Sequence, residues 1–155
     1  MRRLLLVIAL LGSLSILTAT AAARTTTASS SKVHHGKVHH VATLKLIVKS
    51  DSEHGKKGPD GKWHDAFLPA SFKVKAGVKT RVTVINYDNM PHSFVSPSLH
   101  LDVKVPAAKG SKLGRVTFTI RTRKVGRYDW WCSEPCDPWA MTHDGYMRGY
   151  VKVVR

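Results

Sequence analysis

Two thiols, Cys132 and Cys136, stand four positions apart in a stretch that also supplies His143 and Met147. Thiolate and thioether are soft donors suited to copper, and imidazole binds copper in either oxidation state. A second imidazole, His92, lies upstream in Asn86-Tyr87-Asp88-Asn89-Met90-Pro91-His92-Ser93-Phe94. Two His, two Cys and one Met could hold a transition ion if the fold brings the two stretches together. Other chemistries find less material. There is no Gly-rich phosphate loop after a strand pattern, no G-x-S-x-G turn and no H-E-x-x-H pair, and His92-Ser93 has no activating partner in view. Ten carboxylates weaken a glycosidase or hard-cation reading. A plainer alternative is a small-loop disulfide between Cys132 and Cys136.

These residues need a frame, and the sequence specifies one by alternation. Leu44, Leu46 and Val48 alternate with Lys45 and Lys49, the period-2 pattern of a half-buried strand. Phe72 and Val74, Val82 and Val84, Val116, Phe118 and Ile120, and finally Val151 and Val153 repeat it. Turn-rich pieces such as Lys75-Ala76-Gly77 and Lys109-Gly110 separate the runs. No apolar stripe of helical period is sustained. The pattern predicts an all-β, antiparallel β-sandwich of about seven strands over residues 41–155. Tyr128 to Met147 then reads as a loop between two strands. Loops at one end of a sandwich converge, which would bring His92 to the thiols.

The chain has 155 residues and a formal charge of +15, from 25 basic and 10 acidic side chains. Such a balance would suggest nucleic acid in a cytosolic protein. Residues 1–23 redirect that reading: Arg2 and Arg3, an apolar run from Leu4 to Leu17, then Ala21-Ala22-Ala23 make an export signal. The run is short of the roughly 20 residues a spanning helix needs, although an uncleaved anchor is the alternative. Residues 24–40, rich in Ser, Thr, Lys and His, read as a disordered leader whose pairs His34/His35 and His39/His40 could chelate metal. Expected localisation is therefore exported: periplasmic, cell-surface or secreted. An exported basic domain suits an acidic protein, or an anionic membrane or wall surface, better than nucleic acid.

Residues 63–155 resemble a cupredoxin. The string Cys132-Ser133-Glu134-Pro135-Cys136 is similar to the binuclear copper loop of cytochrome oxidase subunit II and nitrous oxide reductase. Phe67-Leu68-Pro69, Gly77, Asp88 upstream of His92-Ser93-Phe94, and Gly126-x-Tyr128 fit the same pattern. The resemblance implies a Greek-key sandwich and a copper site with bridging thiolates from Cys132 and Cys136, imidazoles from His92 and His143, the thioether of Met147 and the carbonyl of Glu134.

The spacing departs from that family. After Cys136 the His comes after six intervening residues rather than three, and its Met after three rather than two; Ala140 fills the usual His slot. The His143-to-Met147 gap matches azurin-like sites with one copper and one thiolate. One or two copper ions per chain both stay open. Implied is a monomeric, non-enzymatic electron carrier working with a redox partner that presents an acidic docking surface. The alternatives are a copper carrier or buffer, and a metal-free interaction module with a Cys132–Cys136 disulfide. His54, His64 and His100 match nothing and are expected at the surface; Met90 and Met141 are expected to fill core; Trp130, Trp131 and Trp139 are expected to pack around the loop and exclude water.

Overall fold

The computed structural model describes residues 41–50 and 55–155. The predicted signal (1–23) and leader (24–40), with their His pairs, and His54 lie outside the described residues. Among these residues the chain builds eleven strands and one five-residue helix: β1 (Val41–Lys49), β2 (Lys56–Lys57), β3 (Trp63–His64), β4 (Ala66–Leu68), β5 (Phe72–Lys75), β6 (Lys79–Asn86), β7 (His92–Ser96), β8 (Leu101–Val105), β9 (Gly114–Ile120), β10 (Gly126–Trp131), α1 (Pro138–Thr142) and β11 (Arg148–Val154). No helix among them is long and apolar enough to cross a membrane.

Two sheets carry the sandwich, ordered β4-β1-β6-β9 and β5-β11-β10-β7-β8; β2 and β3 form a separate ribbon. The all-β sandwich is as expected, with nine strands in its two sheets rather than about seven. Two pairings, β1 with β6 and β11 with β5, are parallel within the otherwise antiparallel sheets. Register follows burial. Leu44 and Leu46 pair with Val82 and Val84, which in turn pair with Phe118 and Val116. A one-residue slip would turn that whole apolar set outward, so the buried face fixes the pairing.

The core lies between the sheets and is aromatic beneath the site. Trp130 stacks on Phe94, with centroids 4.5 Å apart, and meets Phe67 edge-on at 4.8 Å. Its indole N–H donates to the Ala70 carbonyl at 2.8 Å, satisfying the one polar atom of a side chain only 1% exposed. Gly149 pairs with Trp130 across β10 and β11, and any Cβ there would collide with that Ala70 carbonyl. Glycine at 149 thus lets the backbone come close enough to receive the indole.

Candidate metal centre

The first half of the site grows from the end of β6. Asn86 is fully buried; its amide donates to the carbonyls of Met90 (2.8 Å) and Pro106 (3.0 Å), and its Oδ1 accepts the Asp88 N–H (2.9 Å). That bracket holds the turn before β7. Asp88 then meets His92 four residues on, Oδ2 to Nε2 at 3.0 Å, with both residues buried. A carboxylate on one ring nitrogen fixes the imidazole's orientation and leaves the other nitrogen for a ligand. The free nitrogen, Nδ1, lies 4.0 Å from the Cys132 sulfur.

The second half follows β10. The Cys132 N–H donates to the Met147 carbonyl at 2.8 Å, tying the two ends of the loop. The sulfurs of Cys132 and Cys136 are 3.9 Å apart, and both thiols are free. A disulfide would bring them to about 2.05 Å. The Glu134 carbonyl lies 3.8 Å from the Cys132 sulfur, while its carboxylate accepts from Lys104 at 2.7 Å. Ligand atoms of His92, Cys132 and Cys136 all fall within 4.8 Å of one another. Met147 is fully buried in the core cluster that contains Cys132 and Ala140.

The hydrogen bonds around the sulfurs separate the two thiols. Cys132 is held down to about 4, first by the Cys136 S–H, then, against the cost of burial, by His92 and the backbone N–H of Ser93 at 3.3 Å. Cys136 is pushed up, because it keeps the proton it donates to Cys132 and is itself partly desolvated. Burial pulls the His92 imidazole down, but its bonds to Cys132 and Asp88 outweigh that and raise it. A bound cation would compete with these hydrogen bonds for the Cys132 and Cys136 sulfurs and for His92 Nδ1.

His143 is not brought to this cluster. It is exposed, its Nδ1–H donates to the Trp139 carbonyl at 2.7 Å, and its ring stacks on Trp139 at 3.7 Å. The short helix explains the placement. Asp137 caps it by accepting the Trp139 and Ala140 N–H groups at 2.9 and 3.0 Å, with Pro138 at the first position. Ala140, in the slot a His would fill, is fully buried, and its carbonyl receives the N–H groups of His143 and Met147.

Other side chains correct the expectations. His64 is buried, not at the surface: only 6% exposed, it places Nδ1 on Asp137 (2.7 Å) and Nε2 on Asp60 (3.1 Å), and stacks on the face of Trp139 at 3.9 Å. Burial works against its charge, yet bonds and charge from Asp137 and Asp60 raise its pKa. Trp131 does not shield the loop; it is 41% exposed. Met90 fills no core, being 46% exposed on a cleft of about 450 Å³ that is also lined by His64, Asp65, Asp88 and Cys136. His100 is exposed as expected, and Met141 packs half-buried against the core. Sequence reasoning missed His64 and the role of Asp88, although both pairs share a readable Asp-x-x-x-His spacing, Asp60 to His64 and Asp88 to His92.

A Cupredoxin-like domain family model matches residues 6–139. The chain belongs to that family. Among solved structures it is similar to a blue copper oxidase from Nitrosomonas europaea (15% identity, 74% of this chain and 39% of that one, TM-score 0.51). It is similar also to the multicopper oxidase mgLAC (13%, 74% and 39%, TM-score 0.50). The periplasmic domain of cytochrome oxidase subunit II from Bradyrhizobium japonicum gives 17% identity, 74% and 84% coverage, and a TM-score of 0.48. The cupredoxin-like chain spans about two-fifths of the two oxidases, and these likenesses concern the fold. A search of curated proteins finds no match.

Proposed function

We propose that this chain is an exported copper protein that passes single electrons between partners, using a site built on His92, Cys132 and Cys136. The carrying observation is the convergence of these three soft or borderline ligand atoms within 4.8 Å, with the thiols facing each other unbonded at 3.9 Å. Two sulfurs each about 2.3 Å from a shared ion at a tetrahedral angle lie about 3.8 Å apart, so the pair is spaced for metal. The donor set excludes hard cations and suits copper, which supplies one-electron redox chemistry when bound.

The chain's own residues do the rest. Asp88 orients His92; the Ser93 N–H donates to the Cys132 sulfur and so tunes the potential; Met147 and the Glu134 carbonyl complete the donor set. His143 would join only by releasing the Trp139 carbonyl. Because both thiols face the same point, neither is left without a role, which favours a two-thiolate site over a single-thiolate one. The apolar run behind Arg2 and Arg3 supports export, and the +15 charge supports a redox partner with an acidic surface. Copper loading is expected to give intense thiolate charge-transfer absorption and a paramagnetic signal, both lost in Cys132→Ser. Wild-type protein showing neither would overturn the reading. Stoichiometry separates one ion from two.

One observation favours a second reading, a copper carrier. Cys136 is only partly buried and lines the solvent-open cleft with Met90 near it, which gives a soft ion a route out. Rapid loss of Cu(I) to a competing chelator, slowed in Met90→Leu, would favour delivery; slow loss alongside fast redox cycling would favour electron transfer.

A further inference from the structure

The two sheets differ in how they distribute charge. The strands of the β4-β1-β6-β9 sheet contain no Asp or Glu at all. Their outward positions carry Lys45 and Lys49 on β1, Lys79 and Arg81 on β6, and Arg115 on β9, exposed except for the half-buried Lys49. Threonines stand between them: Lys45, Thr83 and Thr117 share one row, and Thr43, Arg81 and Thr119 the next. Thr83 and Thr117 bond to each other at 3.0 Å. Among the described residues none of these five cations has an ion pair; Lys49 lies over the Tyr87 ring at 5.3 Å.

The opposite side is basic too, and there the two signs are mixed: Lys73, Lys75 and Lys152 have no ion pair among the described residues, but the other cations meet carboxylates. Arg127 binds Asp129 at 2.8 Å and approaches Asp144 at 3.7 Å, Arg148 binds Asp144 at 2.9 Å, and Lys104 binds Glu134 at 2.7 Å. A surface charged only for solubility interleaves the two signs. On the strands of the β4-β1-β6-β9 sheet only the positive sign is present.

We propose that the outer face of the β4-β1-β6-β9 sheet docks on an anionic lipid bilayer. Charge complementarity is the first argument: unpaired Lys and Arg beside a plane of anionic headgroups are each attracted to it, and the attractions sum. What the face lacks is the second. Within β1, β6 and β9 no aromatic residue occupies an outward position, and the exposed Tyr87 just past β6 has Lys49 over its ring, so the face has no cluster of aromatic anchors and no row of rings for stacking bases. A sheet face also offers no protruding element to enter a nucleic-acid groove. Third, the chain entering β1 continues the pattern, with Arg24, Lys32 and Lys37 and no carboxylate before Asp51. None of these cations is among the proposed metal ligands.

The test is co-sedimentation of the full chain with vesicles of phosphatidylcholine, alone or mixed with phosphatidylglycerol. Binding is expected only to the mixed vesicles, and to vanish near about 0.5 M salt, where screening leaves a range of only a few Å. At about fivefold per cation, Lys45→Gln/Arg81→Gln/Arg115→Gln should weaken it roughly a hundredfold. Lys73→Gln/Lys75→Gln/Lys152→Gln removes equal charge from the other sheet and should cost far less. Lys45→Arg/Arg81→Lys/Arg115→Lys should bind as wild type. Equal loss in the two Gln triples would overturn the proposal in favour of net charge. Binding to phosphatidylcholine alone, or stronger capture by soluble polyphosphate than by mixed vesicles, would overturn it in favour of apolar attachment or a free polyanion. The lipid and salt comparisons decide on wild-type protein even if a variant misfolds.

Discussion

His92 and His143, the two candidate imidazoles, stand in opposite conditions. His92 opens a strand, is fully buried, and has its Nε2 committed to Asp88 so that Nδ1 faces the Cys132 sulfur. His143 follows a five-residue helix, is exposed, and spends its Nδ1 on the Trp139 carbonyl. One half of the centre is therefore prepared before any ion arrives, and the other is held elsewhere by its own local bonds. Preparation has a physical source. Backbone groups around Asn86 and Asp88 are satisfied by buried side chains, whereas the His143 segment is tied mainly to its own short helix.

The sharpest way to break this contrast is to remove each imidazole in turn. His92→Ala deletes a preset ligand and should reduce copper affinity by more than about a hundredfold, beyond the usual effect of losing a supporting residue. His143→Ala should change it far less. Competition against a Cu(I) chelator measures both, and equal losses would mean that His143 swings into the site. Next in size is Asp88→Asn, which keeps the shape but removes the charge that orients His92. A loss of about 10–100-fold is expected in the same assay, with folding intact.

How far the sequence foretold this contrast depends on what fixes each side chain. Strands with clean alternation, such as those through Leu44 and Val48 or Val116 and Ile120, were legible because burial alone sets their register. The strand before Cys132 was not: Tyr128 to Trp131 read as loop, yet pairing with β11 carries β10 through Trp131. Both parallel pairings also escaped, since alternation says which face is buried and not which neighbour lies alongside. The meeting of His92 with the thiols followed from loops converging at a sandwich end. The direction of His143 did not, because it depends on the Trp139 stack and on the turn at Gly145, with φ +90°. His64 was misplaced for a related reason: nothing local announces that Asp137, 73 residues away, will receive it.

Asp137 and His64 define how firmly the less prepared half is held. Asp137→Ala removes a helix cap and a partner of His64, and should lower stability by about 1–2 kcal/mol. Urea unfolding of the metal-free protein measures it. The His64 share should vary with pH. Its folded pKa is raised above the ordinary 6.5, so its stabilisation is complete below that value and is lost as pH rises through the folded pKa. A His64→Gln variant should close the gap to wild type on the alkaline side. A gap that widened there would mean that the neutral ring is the stabilising form.

The smallest effect expected is at the seam between the two halves. Ser93 Oγ accepts the Ser133 N–H at 2.7 Å and shares a hydrogen bond with the Ser133 hydroxyl at 2.9 Å, while Ser93 N–H points at the Cys132 sulfur. Ser93→Ala deletes the first two contacts, together with a long one from Oγ to the Cys132 sulfur at 3.8 Å, and keeps the third. The lost acceptor should cost about 1 kcal/mol of stability. Copper affinity should fall by less than the Asp88→Asn loss, because the backbone donor to sulfur and the aim of His92 both survive. If Ser93→Ala instead equalled Asp88→Asn in the chelator assay, the side-chain seam rather than the buried carboxylate would be what aligns the sulfur with the imidazole.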